Sequence, residues 1–308
     1  MKFINPLIVL SLLIAGTGCH RADKPSHSAL KQAESPGSDA IITKNVTFNS
    51  EGVTLAGTIY MPKNPYAAVV LVHGSDSVPR MTAFAELLAK RGMAVLTYDK
   101  RGVGASGGVY AGPEVGTNNI SAENLNLLAK DASAAVNTLH KSIDSTPIGL
   151  LGFSQAGWII PLAATENSRV KFMVLFSGPT ITTLEQLRFQ FYTNGNADFW
   201  DTHTKADVRR HVENGPDRYL FESTDPKVAL KALSIPGLWL FGEKDIQIPV
   251  KMDIGHLNAL KAGGKPYDYC LFPTLGHNTA FSGDREPVDI AVQWIKRAVG
   301  KMETNRKK

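Results

Sequence analysis

Residues 148–164, IGLLGFSQAGWIIPLAA, set the tightest limit on how this chain can fold. The run Ile148–Phe153 is continuously apolar or small, as a strand covered on both faces would be. An apolar helical pattern follows at once, so the chain must pass from strand to helix within Gly152-Phe153-Ser154-Gln155-Ala156-Gly157. At so sharp a turn only small side chains fit two positions before and after the central Ser154, and Gly152 and Ala156 meet that need. A doubly covered strand that enters a helix belongs in a mostly parallel sheet with helices on both faces.

Other segments extend the same pattern. The runs AAVVLVHG (67–74), Met93–Tyr98, Phe172–Ser177, the strand beginning at Leu238 and YDYCLF (267–272) read as further strands. Helical spacing covers Met81–Arg91, about Ser121 to His140, Val250–Leu260 and Pro287–Val299. Ahead of them, IITKNVTF (41–48) and VTLAGTIY (53–60) pair as an antiparallel hairpin around Glu51-Gly52. The expectation is an α/β fold of one domain over 41–300, with an N-terminal antiparallel hairpin and a helical cap insertion at about 180–232. Residues 301–308 form a basic tail.

One motif in this frame points elsewhere. In MAVLTYDKRGVGASGG (93–108), Gly102, Gly104 and Gly107 spell the glycine pattern of a dinucleotide-binding turn. Such a turn must open a helix directly, yet the chain continues Gly107-Gly108-Val109-Tyr110-Ala111-Gly112-Pro113. The acidic residue expected after the next strand is also missing. The glycines therefore read as a sharp loop beside a site built from other strands, with Asp99 and Arg101 expected to brace it as an ion pair.

The chemistry-bearing residues lie at strand ends. Ser154 occupies the context of a nucleophile elbow, before a helix N-terminus that favours negative charge. FGEKDIQIP follows a strand and offers Asp245 as an orienting acid, with Glu243 the competing carboxylate. LGHN places His277 just past a strand and before the last helix. His203, His211 and His256 sit in helical patterns and read as surface or packing residues.

Taken together, LVHGS, YDKRGVGASGG, GFSQAGWIIPLAA, FSGP, FGEKDIQIP and LGHN resemble the α/β-hydrolase superfamily, in its secreted bacterial carboxylesterase and serine-aminopeptidase-like branch. The chain order Ser, Asp, His is the one that this superfamily uses. The resemblance implies an α/β-hydrolase fold and a catalytic triad of Ser154, Asp245 and His277. It also implies an oxyanion hole from the backbone N–H groups of Ser75, in the turn His73-Gly74-Ser75, and of Gln155. Ala156 departs from the usual glycine of the elbow. The insertion, with Phe189, Phe191, Tyr192, Phe199, Trp200, Tyr219 and Phe221, resembles a cap over an acyl pocket, most of its aromatics serving to glue it down.

The N-terminus carries targeting information. Lys2, a short apolar run to Ala15 and small residues before Cys19 read as a signal peptide over 1–18. The small residues before Cys19 resemble a bacterial lipobox, which implies a lipidated Cys19 and a periplasmic location at the outer membrane. Residues 19–40, rich in Ser, Pro and charge, read as a flexible tether. The S-x-x-K match at Ser28–Lys31 lacks partner motifs and reads as chance. The only other cysteine, Cys270, lies in a strand-like run and reads as a buried small hydrophobe.

The net charge of +5 comes without a basic stripe interleaved with aromatics, which argues against nucleic acid as a partner. No cofactor or metal is expected. The expected function is hydrolysis of a small carboxylic ester through an acyl-enzyme. A serine aminopeptidase is the alternative, with Glu185, Glu213 and Glu222 as possible amine-binding acids. A catalytically dead binding lipoprotein is the third reading.

Overall fold

The computed structural model describes residues 40–112, 119–143, 145–219 and 221–306. The expected signal segment, Cys19, the tether up to residue 39 and the Ser28–Lys31 match lie outside the described residues. Strands β1 (Ile42–Ser50), β2 (Val53–Met61), β3 (Ala67–Val72), β4 (Met93–Tyr98), β5 (Ile148–Phe153), β6 (Val170–Phe176), β7 (Gly237–Gly242) and β8 (Tyr267–Phe272) form one sheet. Their spatial order is β1-β2-β4-β3-β5-β6-β7-β8. The β1–β2 and β2–β4 pairs are antiparallel and every later pair is parallel. Glu51 and Gly52 turn the first hairpin with φ of +49° and +76°, the positive pair that a two-residue connection between twisted strands requires.

The uninterrupted apolar runs are explained by cover on both faces. Along β3, Val70 and Val72 pack toward α2 (Ala122–His140), α3 (Ala156–Glu166) and α8 (Val250–Ala262). Val69 and Leu71 pack toward α1 (Thr82–Ala89) and α9 (Glu286–Arg306). Each such side chain, fully removed from water, contributes roughly 1.5–3 kcal/mol, so neither face tolerates polar alternation. The last helix runs further than its apolar spacing suggests. Residues 301–306 continue α9 instead of forming a separate tail, because Met302 still packs against the same core.

Between β6 and β7 lie α4 (Thr183–Thr193), α5 (Phe199–Thr202), α6 (Lys205–Asn214) and α7 (Pro226–Ala232). Ile181, Phe189, Phe199, Val208 and Val212 form a separate apolar cluster that reaches Met252 of α8. Among the described residues no helix is long and apolar enough to cross a membrane.

Candidate active site

Ser154 sits between β5 and α3 with φ of +48°, in the left-handed region that a side chain with a Cβ seldom occupies. Two main-chain hydrogen bonds hold it there, from its own N–H to Phe176 O (2.9 Å) and from Gly157 N–H to Ser154 O (2.8 Å). A Cβ at Gly152 would lie 2.4 Å from the Ala156 Cβ, so the two small positions are small because they touch one another. The strained turn therefore depends on sequence on both sides of the serine.

The loops after β7 and β8 bring two more side chains to it. His277 Nε2 lies 2.8 Å from Ser154 Oγ, and His277 Nδ1 lies 2.7 Å from Asp245 Oδ2. Asp245 is fully buried, and its other oxygen accepts from the N–H groups of Gln247 (2.7 Å) and Ile248 (3.0 Å). With Nδ1 protonated toward the carboxylate, Nε2 is left to accept the serine proton. The His277 carbonyl is fixed in turn by the Ser177 hydroxyl, which donates to it at 2.5 Å.

Glu243 is turned away, between Lys205 (2.8 Å) and Lys251 (3.3 Å). The other histidines pack instead of meeting Ser154. His203 stacks on Phe199, His211 stacks on Tyr192, and His256 Nδ1 faces Thr180 O at 3.2 Å.

The turn after β3 presses against the serine. A Cβ built on Gly74 would stand 3.6 Å from Ser154 Cβ, which places the Gly74–Ser75 peptide beside Gln155, the buried residue that opens α3. Among the described residues, the N–H groups of Ser75 and Gln155 donate to no backbone carbonyl. Amides in that condition beside a serine are free to hold an anionic oxygen.

A family model described as "Serine aminopeptidase, S33" matches residues 63–198, a span with the Gly74 turn and Ser154 but without Asp245 and His277. The structure superposes on the esterase Pf2001 of Pyrococcus furiosus with a TM-score of 0.60 at 18% identity, covering 87% of this chain and 94% of that one. The acylaminoacyl peptidase of Pyrococcus horikoshii gives a TM-score of 0.59 at 17% identity over 83% of this chain and 41% of that one. The chain has the α/β-hydrolase fold. In sequence it is 26% identical over 196 residues to the uncharacterized protein YcjY of Escherichia coli, covering 60% of this chain. It is also 26% identical over 259 residues to the esterase EstD of Thermotoga maritima, covering 76% of this chain. The chain spans 58% and 59% of the length of these two relatives.

The α/β-hydrolase sheet also carries polar links that sequence reading missed. Asp99 and Arg101 do not pair with each other. Asp99 binds Arg80 through both carboxylate oxygens (3.0 and 2.6 Å), and Arg101 pairs with Asp131 of α2 at 2.5 Å. The two side chains diverge at the end of β4, one toward the loop after β3 and one toward α2. Burial opposes ionisation of Asp99, but the donors of Arg80 and the Ala105 N–H outweigh it and hold the carboxyl at about 2. The Gly102–Gly108 loop wraps this carboxylate. At Gly104, with φ of +56°, a Cβ would meet it at 2.7 Å. Burial and the nearby Lys100 ammonium push His73 down to about 3, so it is neutral at physiological pH.

In the insertion, Phe189 and Phe199 are fully buried in its own cluster, and Phe191 stacks on Tyr219. Glu185 caps α4 by accepting from Thr182 N–H, and Glu213 faces Arg209.

Proposed function

We propose that this chain is a serine hydrolase that cleaves small carboxylic esters through an acyl-enzyme. The observation that carries the reading is the unbroken hydrogen-bond chain Ser154 Oγ, His277 Nε2, His277 Nδ1, Asp245 Oδ2, at 2.8 and 2.7 Å. In this mechanism His277 takes the serine proton as Ser154 attacks the carbonyl carbon. The resulting oxyanion is held by the N–H groups of Ser75 and Gln155. The imidazolium, steadied by Asp245, returns its proton to the departing alcohol. Water then attacks the acyl-enzyme by the same route and frees Ser154.

Esters are favoured over peptides by the state of two of the insertion's three candidate acids, Glu185 and Glu213. An aminopeptidase must hold a cationic amine with a carboxylate close by. Glu185 is engaged in its helix cap, and Glu213 is paired with Arg209. The likeness to EstD supports the ester reading, whereas the serine aminopeptidase description of the matching family model keeps the peptidase as the second reading.

A fluorophosphonate probe should label the wild-type chain and leave Ser154→Ala unlabelled. Failure to label the wild type would favour the dead binding lipoprotein. On a substrate panel, p-nitrophenyl acetate or butyrate should be cleaved far faster than aminoacyl p-nitroanilides. The reverse ranking would move the assignment to a peptidase. From the residues around Cys19 we further propose a lipid anchor at the periplasmic face of the outer membrane. Mass spectrometry of the membrane fraction should find a diacylglycerol-modified Cys19, and a soluble chain without it would refute the anchor.

A further inference from the structure

We propose that Lys100 is a positioning residue for the oxyanion-binding turn, fixing and polarising the Gly74–Ser75 peptide while tying it to Gln155. The inference rests on the hydrolase reading above and adds a residue that the triad does not include.

Lys100 follows β4 and Asp99, and it is only 4% exposed. A lysine so deeply placed normally needs a carboxylate partner. Among the described residues none is within ion-pair distance of Lys100. Its ammonium donates instead to Gly74 O and lies 3.3 Å from Gln155 Oε1. Those two acceptors belong to the two segments that flank the serine and carry the Ser75 and Gln155 N–H groups.

The planar peptide makes this contact directional. In a trans peptide the C=O and the N–H point in opposite senses, and Gly74 O shares its peptide with Ser75 N–H. A donor that anchors Gly74 O therefore sets the direction of the Ser75 N–H. A charged donor does more, because it draws electron density toward the carbonyl and strengthens the N–H on the far side. Nearby groups brace the same two segments. Tyr110 donates its hydroxyl to Ser75 O at 2.5 Å, its ring lies 5.5 Å from Lys100 Nζ, and Gln155 Nε2 donates to Asn119 O at 2.7 Å.

The groups around the ammonium leave it charged at neutral pH. Burial lowers its pKa to about 8, against the opposing charge of Asp76. His73, at the end of β3, is neutral, and the Asp99 carboxylate is committed to Arg80. Tyr110, raised by burial, is also neutral. The charge on Lys100 is thus lost as pH rises through about 8, and the polarisation of the peptide goes with it.

The test uses the full chain with p-nitrophenyl acetate, comparing wild type, Lys100→Met, Lys100→Arg and Ser154→Ala from about pH 6 to about pH 10. Removing a whole oxyanion donor costs about 100- to 1,000-fold in kcat, so misaligning one through Lys100→Met should cost about 10- to 100-fold with KM little changed. Wild-type kcat should decline above about pH 8, and that decline should vanish in Lys100→Arg, whose guanidinium stays charged. A Lys100→Met variant with wild-type kcat, or a Lys100→Arg variant that keeps the alkaline decline, would overturn the proposal. The second comparison decides the matter even where Lys100→Met does not fold. If Ser154→Ala hydrolyses the ester as fast as wild type, the hydrolase reading itself fails and the role of Lys100 falls with it.

Discussion

The indole N–H of Trp200 donates to the main-chain carbonyl of Asp245 at 2.8 Å, so the insertion holds the residue whose carboxylate orients His277. The next two carbonyls are held in the same way. Thr193 Oγ1 donates to Ile246 O at 2.8 Å and Gln186 Nε2 to Gln247 O at 3.1 Å. Three side chains of one insertion thus grip three consecutive carbonyls of the acid-bearing loop. The insertion acts as a clamp on that loop.

Loosening the clamp should slow turnover without touching the triad. Trp200→Phe keeps the apolar bulk and loses the hydrogen bond, which is worth about 1 kcal/mol. Adding Thr193→Val should deepen the effect more than additively, because both donors hold one loop. Thermal unfolding together with kcat measures both, and full kcat in the double variant would show that the loop needs no clamp.

Removing the reacting side chains should have far larger effects. Ser154→Ala and His277→Ala should each lower kcat on the order of a millionfold. Asp245→Asn should cost on the order of 10,000-fold, because an amide no longer selects the useful imidazole tautomer. Circular dichroism of each variant should match the wild type.

The contact between Gly152 and Ala156 predicts a coupled pair. Gly152→Ala forces a methyl to 2.4 Å from Ala156 Cβ and 2.8 Å from Ile160 Cδ1, and should destabilise by about 1–3 kcal/mol. Adding Ala156→Gly removes the first clash and should return part of that loss. Urea denaturation of the two single variants and the double gives the coupling directly. Additive effects would mean that the two positions do not sense each other.

Asp253 should make stability fall as pH rises toward neutrality. It is fully buried, with one oxygen accepting from Thr180 N–H and Ile181 N–H and the other unpartnered. Burial raises its pKa to about 7, with the Asp245 charge adding to the rise and the Thr180 and Ile181 donors opposing it. Between the ordinary carboxyl value and about 7 the folded chain holds a proton that the unfolded chain has released. The contribution is therefore full below that window and is lost as pH rises through about 7. Asp253→Asn keeps the acceptor and cannot ionise, so its melting temperature should change less than that of the wild type between about pH 4 and about pH 8.

Much of the sheet was legible because burial on two faces leaves an unmistakable mark. The runs at Ala67–Val72 and Ile148–Phe153 have no polar residue to mislead. Ser154 and Asp245 each stand just beyond such a run and His277 beyond the less apolar β8, and position after a strand together with the Ser, Asp, His order located them. Lys100, Arg80 and Asp131 left no comparable signal. They are wholly or partly buried charged residues held by hydrogen bonds to elements distant in sequence, and no local period distinguishes them from solvent-facing charges. The supposed Asp99–Arg101 pair shows the same gap, since nearness along the chain said nothing of where the two side chains point.

The order in which the sheet is completed has a consequence for how the chain acquires activity. Ser154 lies at the end of a central strand, whereas His277 lies 123 residues later, beyond β8, the last of the described strands and an edge of the sheet. A nascent chain emerging from its N-terminus presents the serine when only β1–β5 have been made, long before His277 can reach it. On the proposed mechanism, hydrolytic competence should arise when β8 zips onto β7, so in refolding the gain of turnover should time the docking of that edge strand, a long-range step that comes late in sheets of this kind.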